Sequence, residues 1–146
     1  MGLFDFLKNI GKDVKKGNEG PEIERNIQTA LGGQVENLNV YHKDGTVWLS
    51  GSVTSRAAKQ KAVLLAGNIK GVEKVNDDGL VVLKETDDEP EFTFYEIQSG
   101  DSLSKIAREH YGDANKWNAL FEANREVIED PDLIYPGQKI RVPKEA

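Results

Sequence analysis

The 146-residue sequence contains no cysteine, which excludes disulfide scaffolds, thiolate metal sites and cysteine nucleophiles. Two histidines leave little for zinc ligation or for acid–base catalysis by imidazole. No run approaches the roughly 18 apolar residues that a membrane-spanning helix needs. Basic residues are outnumbered, 19 Lys and Arg against 25 Asp and Glu, so the net charge is −6 and no basic face is available for nucleic acid. The start, Met1-Gly2-Leu3-Phe4-Asp5-Phe6-Leu7, has no basic leader, and Asp5 interrupts its apolar run, so no secretory signal is read. Phe6 stands where N-myristoylation wants Ser or Thr. Phosphate-cradling and dinucleotide-binding glycine motifs are missing, as is any nucleophile motif around His42 or His110; the chain is read as a non-enzyme. A cytoplasmic location and a monomeric state are expected.

What is present is a soluble composition, 38% apolar and 30% charged, enough for one ordinary domain or two small ones. The clearest boundary is 84–91, Lys-Glu-Thr-Asp-Asp-Glu-Pro-Glu, a self-repelling acidic stretch that reads as a linker. It leaves an N-terminal segment 1–20, a first domain 21–83 and a second domain 92–146. Formal charges of about +1, 0, −4 and −3 for segment, first domain, linker and second domain show that no part is a basic module.

In segment 1–20, Leu3, Phe6, Leu7, Ile10 and Val14 fall on one helical stripe, and the segment reads as an amphipathic helix. Docking on the protein itself and lying on a membrane surface are both open to such a helix. Gly11 suits a left-handed cap after Ile10.

The first domain opens at Gly20-Pro21-Glu22 and carries Ile23, Ile27, Ala30 and Leu31 at helical spacing. A strand from Val35 to His42 follows, with Leu38, Val40 and His42 on one face. Asp44-Gly45 supplies the positive φ angles of a hairpin turn. In the return strand Val47, Leu49, Gly51 and Val53 alternate with Trp48, Ser50 and Ser52. Ser55 caps a second helix with Ala58, Ala62, Leu65 and Ile69 inward. A last strand region, 72–83, contains the irregularity Asn76-Asp77-Asp78-Gly79. Helix, strand, strand, helix, strand predicts an α+β layer with both helices on one face of a three-stranded sheet.

The second domain reads strand (92–97), helix, helix, strand (139–142): a two-stranded sheet with a helical hairpin. Leu103, Ile106 and Trp117 are expected in its core. The acidic group Glu126, Glu129, Asp130 and Asp132 reads as a solvated face, and Asn76 to Gly79 is too short for a calcium loop.

Residues 95–103, Tyr-Glu-Ile-Gln-Ser-Gly-Asp-Ser-Leu, with Ile106-Ala107, Tyr111-Gly112, Trp117, Leu120, Asn124 and the closing run Ile134 to Pro143, resemble a LysM domain. Residues 47–53, the Gly67 to Gly71 turn and Val72-Glu73-Lys74-Val75 resemble a BON domain. With the Met1-Gly2-Leu3-Phe4 start, the chain is similar to the small bacterial BON–LysM potassium-binding proteins. That resemblance implies a potassium ion, K+, held by the backbone carbonyls of Leu7, Ile10, Gly67, Ile69 and Val72, and a sensor role in which the ion orders the N-terminal segment against the BON domain. Carbonyls at helix C-termini suit a large, weakly polarising cation, and such a site leaves almost no side-chain motif. Lys70 has to point away from it. The LysM resemblance implies, as an alternative, a groove for N-acetylglucosamine polymers such as peptidoglycan or chitin at Gly100, Asp101, Ser102, Leu103, Asn124, Ile134 and Tyr135. A protein-docking role for the LysM domain also stays open, and turn, cap and core roles account for several of the same residues.

Overall fold

The computed structural model describes residues 3–6, 11, 19–83 and 92–144. The chain forms two compact units, Met1–Glu89 and Pro90–Ala146. In the first, β1 (Leu3–Asp5), α1 (Glu19–Leu31), β2 (Val35–Lys43), β3 (Thr46–Val53), α2 (Arg56–Gly67) and β4 (Lys74–Val82) build a sheet of order β1-β4-β3-β2.

Lys43 and Thr46 pair across a two-residue turn in which Asp44 and Gly45 both have positive φ, 51° and 81°. That turn twists with the strands it joins, which fixes the β2–β3 register. Val47, Leu49 and Val53 of β3 are buried while Trp48 is exposed, as their alternation predicts. The expected irregularity in the last strand is a shift in the parallel β3–β4 register, Trp48 opposite Asn76 but Ser50 opposite Gly79. On the open sheet face Tyr41 and Trp48 pack ring on ring across the β2–β3 pair, 5.4 Å between centroids.

The Ser55 side chain accepts a hydrogen bond from the Ala58 N–H and starts α2. Ile23, Ile27 and Leu31 of α1 are buried; Ala30, expected with them, is exposed. From Ala62 to Asn68 every residue is buried, so the second half of α2 is covered on all sides. A single sheet face cannot do that.

Helix α1 packs beside α2, and the N-terminal segment adds cover at its C-terminal end; here the structure corrects the sequence reading. Leu3–Asp5 is a strand, not part of a helix, and it pairs antiparallel with β4, Phe4 opposite Val75. The sheet therefore has four strands, not three. A short helix in isolation is marginal in water, whereas an open strand edge offers a row of backbone partners. The Phe6 N–H extends the contact by donating to the Glu73 carbonyl at 2.7 Å. The Phe6 side chain is 5% exposed and lies against Gly67. The expected stripe positions Leu7, Ile10 and Val14 lie outside the described residues. Helix α1 begins at Glu19, so Glu19 and Gly20 belong to the first unit's helix and not to a separate segment.

The second unit pairs β5 (Phe92–Glu96) with β6 (Lys139–Pro143), Tyr95 opposite Ile140, and carries α3 (Leu103–Tyr111) and α4 (Trp117–Glu122). Ser102 caps α3 and Gly112, at φ 74°, ends it in the left-handed conformation. Ile97, Leu103, Ile106, Leu120, Phe121, Ile128, Ile140 and Val142 form the core. Trp117 is not in it: the side chain stands 36% exposed at the start of α4.

A Cβ placed on Gly67 would stand 2.1 Å from Phe6 Cζ. Gly67→Ala is therefore expected to displace the Phe6 ring and destabilise the first unit by about 1–3 kcal/mol. Amide exchange checks this: the Phe6 N–H should lose protection more than the hairpin strands β2 and β3.

Candidate functional site

The C-terminal end of α2 is the first candidate. Asn68 is its C-cap and its N–H reaches the Leu64 carbonyl at 3.0 Å. The chain then turns through Lys70 and Gly71, where the Val72 N–H donates to the Ile69 carbonyl at 3.1 Å. The last carbonyls of any α-helix lack intrahelical donors, and the helix dipole makes that end negative. The Ile69 and Val72 side chains are buried, and Lys70 is exposed, as an ion at the turn requires.

The N-terminal segment approaches this turn at two described points on either side of residues 7–10. Phe6 packs on Gly67. Gly11, at φ +127°, comes so close that a Cβ on it would stand 2.5 Å from the Asn68 carbonyl oxygen and 3.0 Å from the Ile69 carbonyl carbon. That backbone-on-backbone approach admits only glycine. Gly67, Ile69 and Val72 thus share one buried turn, flanked by the contacts of Phe6 and Gly11. Leu7 and Ile10 lie outside the described residues. The sequence reading had Gly11 as a helix cap; its close approach to Asn68 follows from tertiary packing that no local pattern announces.

The donor chemistry at the turn is backbone carbonyl. Among the described residues no group of three or more His, Asp or Glu is placed to hold a metal ion. Asp77, within the irregularity of β4, is buried; burial pushes its carboxyl above the usual carboxylate range, with Lys59 opposing and Asp78 adding to the shift. A lone carboxyl pushed toward its neutral form does not make the hard oxygen cage that calcium requires. A carbonyl-rich turn suits a monovalent ion.

The second candidate comprises the loop before α3 and the loop before β6. They are joined: the Ile97 N–H donates to the Gln138 carbonyl and the Gly137 N–H to the Ile97 carbonyl, each at 2.8 Å. Gly100 and Ser102 are exposed at the rim, and Ile134 and Tyr135 are half-buried. Two expected groove residues are elsewhere. Leu103 is in the core. Asn124 is 0% exposed, and its side chain is spent on the backbone: Nδ2 donates to the Leu120 and Arg141 carbonyls, and Oδ1 accepts from the Arg141 N–H. It ties β6 to the end of α4 and presents nothing to a ligand. Glu126 also departs from expectation. Its side chain is buried and pairs with the buried Arg141 guanidinium at 3.6 Å, so it is not part of a solvated face.

Asp101 is an internal brace. Its Oδ2 accepts from the Tyr95 hydroxyl at 2.5 Å and the Gln98 N–H at 2.9 Å, while Lys105 Nζ stands 3.8 Å from Oδ1. Burial alone would raise the Asp101 carboxyl, but the two hydrogen bonds, with Lys105 and His110, hold it below the usual carboxylate range. Burial, the Asp101 hydrogen bond and the charges of Asp101 and Glu109 push the Tyr95 hydroxyl up to about 12. Tyr135 is raised by burial.

Comparison with known proteins matches residues 20–84 to the BON domain and 95–143 to the LysM domain. The potassium binding protein Kbp of Escherichia coli is 33% identical over 153 residues, covering 99% of this chain and 100% of that protein. An uncharacterized protein of Deinococcus radiodurans is 36% identical over 150 residues, 95% of this chain and 58% of that one. The endolysin of Bacillus phage PZA is 29% identical over 140 residues, 96% of this chain and 48% of its own.

The Tyr95–Asp101 brace has a pH signature. The lowered Asp101 carboxyl contributes stability that is present above the ordinary value of 3.8 and is lost as pH falls through its folded value. The raised Tyr95 hydroxyl contributes stability that is complete below 10 and lost as pH rises toward about 12. The stability of the second unit, followed through unfolding at the Ile140 amide resonance, should fall at both ends. Tyr95→Phe should flatten the alkaline limb.

Proposed function

Because this chain belongs to the BON–LysM family of the potassium binding protein Kbp, we propose that it binds a potassium ion at the junction of its N-terminal segment and the end of α2. The carbonyls of Gly67, Ile69 and Val72 contribute from the turn, and those of Leu7 and Ile10 from the segment between the two contacts described above. The observation that carries this reading is the approach of Gly11 to Asn68 and Ile69, which sets the backbone of the N-terminal segment against a carbonyl-rich helix end. In this reading the protein is a monomeric cytoplasmic potassium sensor and not an enzyme. The ion completes the cover over α2, so occupancy decides how firmly the N-terminal segment is held.

The test is thermal unfolding in potassium, sodium and lithium chlorides at matched ionic strength. A ligand that binds only the folded state stabilises it by RT ln(1 + [L]/Kd), about 2.7 kcal/mol at a hundredfold excess over Kd. A potassium-specific rise in melting temperature is expected, and equal curves would sink the reading. A chain lacking residues 2–10 should lose that rise. Its two units should still fold, because Ile27, Leu65 and Ile69 in one and Ile106, Leu120 and Phe121 in the other remain to form their cores.

The hydrogen-bonded pairing of the two LysM loops favours a second reading, a surface for N-acetylglucosamine polymers at Gly100, Ser102, Ile134 and Tyr135, with Asp101 bracing the loop beneath it. Chitin oligomers should then shift the amide resonances of Gly100 and Tyr135 together; no shift at millimolar oligomer would leave the domain a protein-docking unit.

A further inference from the structure

We propose that Glu19 is the counter-charge of the ion site, a positioning residue that makes the buried turn favour a single monovalent cation; this rests on the potassium reading above. Glu19 is the first residue of α1, and its side chain is only 11% exposed. Its Oε1 lies 3.9 Å from where a Cβ on Gly71 would stand, beside the turn that carries Gly67, Ile69 and Val72. Its Oε2 lies 3.7 Å from His42 Nδ1 on β2. The carboxylate is thus wedged between the β2–β3 hairpin and the carbonyl-rich end of α2.

Two helix ends act on that position. The start of α1 favours an acid through its own dipole, but the end of α2 is negative and the turn carbonyls add to it. A carboxylate taken out of water beside a negative helix end is held best by a cation close by. The reverse also holds. Carbonyls carry no net charge, so a monovalent ion in a shell of them remains a buried positive charge. The Glu19 carboxylate matches the single charge of a monovalent ion, whereas a divalent ion keeps a surplus positive charge against it. Glu19 therefore acts on charge selection through the turn, without itself serving as a ligand.

An acid at a helix start is also explained without any ion, and the two roles separate experimentally. The full-length chain, Glu19→Gln and Glu19→Asp are compared by thermal unfolding in lithium and potassium chlorides and by calorimetric titration with potassium chloride. If Glu19 is the counter-charge, Gln weakens potassium binding by about tenfold, equivalent to about 1.4 kcal/mol, while the melting temperature in lithium stays level or rises. Asp, which keeps the charge, restores most of the affinity. Gln binding potassium as tightly as the unaltered chain overturns the proposal. So does a Gln variant that melts lower by the same amount in both salts or fails to fold, since that is the behaviour of a helix-terminal acid alone. If the unaltered chain shows no potassium-specific effect, the potassium reading itself fails, and this assignment falls with it.

Discussion

Everything distinctive about the first unit depends on how the second half of α2 is buried. A helix lying on a sheet normally shows one apolar face and one wet one. Here residues 62–68 are buried all round: α1 packs beside the helix, and among the described residues the N-terminal stretch adds a three-residue strand, a hydrogen bond from Phe6 to Glu73 and the Phe6 ring against Gly67. Each of these contacts is small. Burying one aromatic side chain contributes about 1.5–3 kcal/mol, and a backbone hydrogen bond about 0.5–1.5 kcal/mol net. Contacts of that size are comparable to what one bound ligand contributes. That is the physical basis for expecting occupancy and docking to be linked: whatever binds only the docked arrangement shifts the balance toward it.

The same packing leaves main chain as the lining of the α2 turn. At Gly11 and Gly67 the space for a Cβ is already filled, by the Asn68 carbonyl in one case and the Phe6 ring in the other. Removing side chains lets two stretches of main chain approach directly, and main chain offers carbonyls. A helix end adds carbonyls that the helix cannot satisfy. The chemistry that results at the turn is neutral and oxygen-rich.

The second unit is held by a different device. The Asn124 side chain makes three hydrogen bonds, one to Leu120 of α4 and two to Arg141 of β6, and Arg141 threads from β6 between Glu126 and the Phe92 ring, its guanidinium carbon 4.0 Å from the ring centroid. These polar ties fix β6, and through Ile97 and Gln138 they fix the paired loops at the rim. Buried polar groups of this kind are costly if any partner is lost, which favours one arrangement over its alternatives. They also place most of the LysM motif's polar residues in service of the fold, leaving a small set of exposed loop positions for any ligand.

The sequence by itself determined the elements whose signals are local. Period-two alternation set Val47, Leu49 and Val53 inward, Asp44-Gly45 set the hairpin, Ser55 and Ser102 set helix starts, and the resemblance of residues 95–143 to LysM set the second fold. What it could not set were features that depend on a distant partner. Leu3 to Phe6 reads as part of a helical stripe, yet the exposed edge of β4 makes a strand the better use of those backbone groups. Asn124 reads as a groove residue through the LysM resemblance and Glu126 as part of a solvated acidic face, and only the position of Arg141, 15 residues beyond Glu126 in the chain, turns them inward. Gly11 reads as a cap, and its value as a point of contact exists only once Asn68 lies beneath it. Short-range pattern records what a segment can form alone; which neighbour it meets is decided by the fold, and both candidate sites lie where such neighbours meet.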